Sequence, residues 1–301
     1  MPDPNSTEPP PKPRVWPVFA GFFGAVVGVQ LVGTIALVAL VAARWGAFAP
    51  GTPLDERVTA CAFSPIGVVL SVLASATALS ALALLLGAKP TRLERLRLGP
   101  GRRPAWHVAV GALGALALSG LCGAAASHVP QKSFALDLFD STLSKLGTPG
   151  LVLATAAIGL AAPVAEELFF RGFVQTRLAA RWPRGLGVLI SAVAFGVFHL
   201  DLVQGTVAAV LGIYLGWIVE RTGSIRTSIA AHAVNNLFAV LAATTQSEST
   251  PSADIPVIVG SSVVFAAAVF VFARPSNQPE LAPAVHEPAH GVLNKVDAND
   301  G

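Results

Sequence analysis

The chain has 301 residues, 53% of them hydrophobic and only 12% charged. Soluble domains carry about a quarter charged residues, so a water-soluble globular protein is excluded. A net charge of only +3 over this length does not imply nucleic acid, and no nucleic-acid partner is expected.

Residues 1–14 are rich in Pro and polar side chains, cannot bury a core, and are expected to be a disordered tail. Eight apolar segments follow, at about 16–43, 62–87, 105–127, 149–174, 186–200, 203–220, 226–245 and 254–273. Each is judged against the roughly 20 residues that cross the hydrocarbon layer. The first is longer than the 7–15 apolar residues of a cleaved signal peptide and reads as a retained span. The fifth, at about 15 residues, is expected to be tilted or partly re-entrant. Residues 275–301 turn polar, with four prolines, and are expected to be a second disordered tail. The predicted fold is all-α: a polytopic membrane bundle of about eight transmembrane helices over residues 15–274, its core near 148–245.

Between segments three and four, residues 129–148 interleave Phe134, Leu136, Leu138, Phe139 and Leu143 with Asp137, Asp140 and Lys145. This suits an amphipathic element on the interface or an ordinary loop. Gly24/Gly28 and Gly212/Gly216, each four apart, suit close helix packing. Cys61 and Cys122 fit small buried side chains better than a disulfide.

Lys and Arg set the orientation. If the loop holding Lys89, Arg92, Arg95, Arg97, Arg102 and Arg103 is cytoplasmic, both termini are too. The inner side then carries 15 Lys/Arg and the outer side 4, with Arg171 embedded. The expected location is an integral, multi-pass protein. The Ala-, Gly- and Arg-rich usage resembles that of a high-GC bacterium, which points to its inner membrane.

Inside the fourth segment stands Glu166-Glu167-Leu168-Phe169-Phe170-Arg171. A charge at mid-bilayer costs about 2.5–3.5 kcal/mol on insertion scales, so such residues face a polar interior and mark function. Glu167 and Arg171 are four apart, acid first, the order that favours an ion pair. Glu166 lies about 100° around the helix, without a local cation. Burial and the neighbouring carboxylate should raise its pKa, which makes it the better candidate base. Pro163 removes a helical hydrogen bond just upstream. The alternative is a structural ion-pair staple. In the fifth segment Phe195 and His199 share a face, so the ring can shield the imidazole; Asp201 could orient it. In the seventh, His232 and Asn236 share a face. Two such donors suit an oxyanion or a polar clamp between helices, the role expected of Asn235. His107, His128, His286 and His290 lie at segment ends or in the tail and are assigned no role.

These three motifs, Glu-Glu-x-x-x-Arg, Phe-x-x-x-His and His-x-x-x-Asn, in this order on the fourth, fifth and seventh membrane segments, resemble the CPBP family. It comprises the CAAX prenyl endopeptidases and the bacteriocin-processing or immunity proteins also called Abi. The resemblance spans roughly residues 148–245 and implies an intramembrane endopeptidase. It implies that Glu166 and His199 activate a water, that His232 and Asn236 form an oxyanion hole, and that Glu167 and Arg171 support them. It also implies that no metal cofactor is used. The residues alone leave open zinc held by Glu166, His199 and His232, although His-Glu-x-x-His is absent. Counting residues places Glu166 and His232 nearer the inner half and His199 nearer the outer end. They meet only if segment five is short, tilted or broken.

The expected partners are membrane lipid and a peptide or membrane-protein substrate. A non-catalytic immunity or scaffold protein of the same fold is the alternative, and complete motifs argue against it. A carrier is disfavoured because no pair of interrupted, inverted helices is visible.

Overall fold

The computed structural model describes residues 14–86, 96–130, 133–245 and 254–275. Most of both expected tails, and Lys89, Arg92, Arg95 and Lys132, lie outside the described residues. Among the described residues every regular element is helical. In lipid each backbone N–H and C=O must be satisfied within its own segment, which leaves helices as the solution for long apolar runs.

Ten helices follow in chain order: α1 Trp16–Ala43, α2 Leu54–Ala62, α3 Pro65–Leu86, α4 Trp106–Ala126, α5 Phe134–Leu143, α6 Thr148–Ala179, α7 Arg184–Phe198, α8 Leu202–Thr222, α9 Ile225–Thr245 and α10 Asp254–Ala273. Seven of them, α1, α3, α4, α6, α8, α9 and α10, are long and apolar enough to span a membrane. The expected fifth span, α7, has 15 residues and falls short of that length. It ends at Phe198 with His199 as its C-cap, and Leu200 takes the left-handed conformation at φ 54°. Asp201 then caps α8 by accepting from Gln204 N at 2.9 Å.

α2 and α5 flank the spans. The charges of α2 mask it in any search for apolar segments. Arg57 is buried against the Trp45 ring, 4.1 Å from its centre, and donates to the carbonyls of Trp45, Ala49 and Thr52. α5 starts where Ser133 Oγ accepts from Leu136 N at 3.1 Å, an N-cap, and buries Thr142 and Leu143.

Packing sorts the helices into a centre and a rim. Phe19, Phe23, Val27, Leu31 and Ile35 form an exposed stripe along α1 at spacing four, which suits lipid. Half of α8 is buried but only 11% of α10, so α8 runs through the interior and α10 along the edge. α6 is the shared wall. Its Phe169, Phe170 and Phe173 pack with Leu79, Leu96 and Phe195, and its Ala154 packs with Leu143 and Val240. A third cluster joins α4, α8, α9 and α10 around Leu118, Tyr214, Leu215 and Phe272. Lipid is as apolar as these side chains, so their value lies in close packing rather than escape from water. Cys61 and Cys122 are free thiols.

Candidate active site

α6 is not regular where it carries the charged motif. Wide, π-type turns occupy Ala157–Ala161 and Glu167–Gln175, with a short α-helical piece, Ala162–Glu166, between them. Pro163 lies in that piece and lacks the N–H a regular helix would use. Such insertions are frequent at functional sites. Glu167 and Arg171 both lie in the second of them and are fully buried.

Arg171 Nη1 donates to Glu167 Oε1 at 2.7 Å, and both side chains are 0% exposed. Arg171 Nη2 donates to the Gly212 carbonyl at 3.2 Å, and its guanidinium lies 4.5 Å from the Phe195 ring centre. Glu167 Oε1 also meets His232 Nδ1 at 3.1 Å. A carboxylate paired with an arginine can only accept, so Nδ1 carries the proton. Nε2 of the same ring stands 3.6 Å from Glu166 Oε2, too long for a direct hydrogen bond. The side chain of Glu166 is 16% exposed whereas that of Glu167 is sealed. Glu166 is therefore the more accessible of the two carboxylates. His232 sits between the two carboxylates, and Glu166 has a potential cation from another helix.

Phe195 joins the two imidazoles. Its ring lies edge-to-face with His199 at 4.9 Å and with His232 at 5.7 Å between centres. His199, at the end of α7, and His232 of α9 thus contact the same aromatic ring. His199 Nδ1 lies 2.9 Å from Phe195 O, within donating distance, which would leave Nε2 as the acceptor. Ser191 Oγ donates to Phe170 O at 2.8 Å and fastens α7 to α6.

Asn236 Nδ2 donates to Ile158 O at 3.1 Å, a carbonyl in the first wide turn. One of its two amide hydrogens is thus engaged. Asn235 accepts from Ser119 Oγ at 2.5 Å and so ties α9 to α4. Asp201 faces other partners. The Gln204 backbone N–H, then the Ser133 hydroxyl and the Ala135 and Val203 N–H groups, hold its carboxyl below the usual carboxylate range. His107 is buried against Phe272 and away from this cluster.

Two polar residues of the interior were not singled out by sequence reasoning. Gln175 is fully buried and bonds Gly216 O and Glu220. An isolated Gln or Glu at a segment end reads as interfacial, and no local pattern distinguishes these two. Among the described residues no three His, Cys, Asp or Glu side chains gather with the spacing of a metal site.

Residues 148–238 match a family model described as Type II CAAX prenyl endopeptidase Rce1-like. The Bacillus subtilis (strain 168) protein "Putative membrane peptidase YdiL" is 29% identical over 93 residues, 31% of this chain. The chain spans 37% of that relative's length. No solved structure matches the chain. Glu166, Glu167, Arg171, Phe195, His199, His232 and Asn236 all fall inside the matched stretch, so the part of the chain that carries the candidate site is similar to the Rce1-like endopeptidases of the CPBP family.

Proposed function

We propose that the protein is an intramembrane endopeptidase of metal-free mechanism. The observation that carries this reading is His232 held between a sealed carboxylate, Glu167, and a partly exposed one, Glu166, within the Rce1-like stretch. Glu166 takes a proton from a water positioned with His199, and the hydroxide formed attacks the peptide carbonyl. The general base supplies about 10²–10⁴ in rate. Negative charge then develops on the carbonyl oxygen. Asn236 meets it with the amide hydrogen not given to Ile158. His232 donates from Nε2, which requires a ring protonated on both nitrogens, and the Glu167 carboxylate at Nδ1 stabilises that cation. Glu166 finally passes its proton to the leaving amine.

The substrate class is a peptide or membrane-protein segment presented at the membrane. The reading is tested by comparing membrane proteomes of cells carrying wild-type protein and Glu166→Gln, which keeps shape and removes the base. Peptides shortened only by wild type support it; identical proteomes, with both proteins equally expressed, overturn it. The metal-free mechanism is tested separately. Purified active protein should hold well under one zinc per chain and keep its activity with a chelator. Activity lost on chelation and restored by zinc would replace the mechanism.

A further inference from the structure

Glu167, Arg171 and Gln175 follow one another at spacing four on α6, and Gly212, Gly216 and Glu220 do so on α8. Residues four apart share a helix face, and the two rows meet in step. Arg171 Nη2 donates to Gly212 O at 3.2 Å and Gln175 Nε2 to Gly216 O at 3.0 Å. Gln175 Nε2 also donates to Glu220 Oε1 at 2.9 Å. The glycines leave the room. A Cβ at 212 would stand 3.0 Å from Arg171 Nη2, and one at 216 would stand 2.6 Å from Gln175 Oε1.

The far end of the row is anchored outside α6 and α8. Glu220, whose side chain is 13% exposed, accepts from Arg97 Nη1 at 2.7 Å. Arg97 is held at φ 55°. Its segment is strapped to the α8–α9 corner through Ile225 N to Arg97 O at 3.0 Å, Ser224 Oγ to Gly99 O at 2.7 Å and Arg102 N to Thr222 O at 2.8 Å. The row is not optimised for stability. Gln175 Oε1 and Arg171 Nε are enclosed without a hydrogen-bond partner among the described residues, a condition that costs about 1–3 kcal/mol per group.

We infer that Gln175 and Glu220 are positioning residues for the proposed hydrolysis. The polar row fixes the register of α6 on α8, and with it the chain of contacts from Arg171 to Glu167 to His232. A one-residue slip of α6 would carry Arg171 off the Gly212 carbonyl and turn Glu167 away from the imidazole. Glu220 and Arg97 are the surface end of this device, where the segment after the basic loop reaches the interior. The inference rests on the proposed reading of the site, and its test is built to fail separately from that reading.

Full-length protein is labelled with ¹⁵N-histidine in lipid nanodiscs, and the His232 ring signals are assigned with His232→Ala. Gln175→Leu and Glu220→Leu break the row; Glu220→Gln keeps an acceptor for both Gln175 and Arg97. Gly216→Ala displaces Gln175 without removing a polar group and replaces the Leu variants if they fail to fold. The row-breaking variants should shift the His232 ring signals. They should also lower turnover of the peptide shortened by wild type about 10–100-fold, the scale of a small misplacement, at unchanged KM. Glu220→Gln should restore both. Unchanged His232 signals in every folded row-breaking variant overturn the inference, whatever the turnover. An unshifted ring with lost turnover would mean that the row acts elsewhere, and also overturns it. Shifted signals in a protein whose wild type cleaves nothing would sustain the coupling and remove the enzymic reading instead.

Discussion

Arg171→Met offers the sharpest test of the interior. Methionine fills much of the arginine volume and removes the charge. Glu167 is then left 0% exposed, with His232 and the Ser228 hydroxyl as its remaining partners. Breaking one side of a buried pair costs about 3–5 kcal/mol, because the orphaned charge stays desolvated. The lost contact with the Phe195 ring, 4.5 Å from the guanidinium, is worth about 2 kcal/mol at a desolvated site. These contributions share partners and do not sum, so about 3–5 kcal/mol is the expected loss. Reversible unfolding in mixed micelles, titrated with SDS, measures it. The decisive arm is Glu167→Gln combined with Arg171→Met, which removes both charges. The double variant should recover at least about 2 kcal/mol relative to Arg171→Met alone, within the range of couplings between contacting residues. A double variant as unstable as the sum of the singles would show that the charges do not depend on each other. The buried pair would then be no basis for the orientation of His232.

Three further outcomes are expected. Asn236→Ala should lower turnover about 10²–10³-fold with little change in KM, as for loss of one oxyanion donor; an equal rise in KM at constant kcat would assign Asn236 to substrate binding instead. With both native cysteines replaced, Lys145→Cys should react with an impermeant maleimide on intact cells and Gly101→Cys only after lysis; the reverse pattern would invert the orientation derived from the basic loops. The Asp201 carboxyl is held below its usual range by the Gln204 N–H. Its stabilisation of the α7–α8 corner is therefore present above the unfolded value of about 3.9 and is lost as pH falls through the lower folded value. Hydrogen exchange at residues 202–205 should rise in that acid window in wild type and change less with pH in Asp201→Asn; equal pH dependence would rule out the cap.

What the sequence disclosed follows from which signals are local. Apolar runs longer than a bilayer is thick have one solution, so the long spans were legible, as was the spacing of Glu167 and Arg171. The helix α2 was not, because Arg57 and its acidic neighbours hide an element held by carbonyls of a preceding turn. The contact of His232 with Glu167 joins residues 65 apart, and no periodicity reports a pairing between helices. Phe195 was read as a shield for His199, and its second contact, with His232, needed three dimensions. Gly212 and Gly216 were read as generic packing. The side chains they admit, Arg171 and Gln175, lie on a helix whose wide turns no residue pattern announced.

Those two glycines also constrain how the sequence can drift. The space above each is already occupied, by Arg171 Nη2 at 212 and by Gln175 Oε1 at 216. Position 216 can gain a methyl group only as position 175 gives up length and Val188, 3.0 Å away, yields, whereas at 212 the Ala192 backbone, 3.2 Å away, also blocks it. Positions 175 and 216 should therefore vary together rather than singly, and 212 should stay glycine. In a library randomised at 175 and 216 together, alanine at 216 should survive beside a shorter residue at 175 and be purged beside glutamine. Such a library would map the α6–α8 contact through heredity alone, without a substrate in hand.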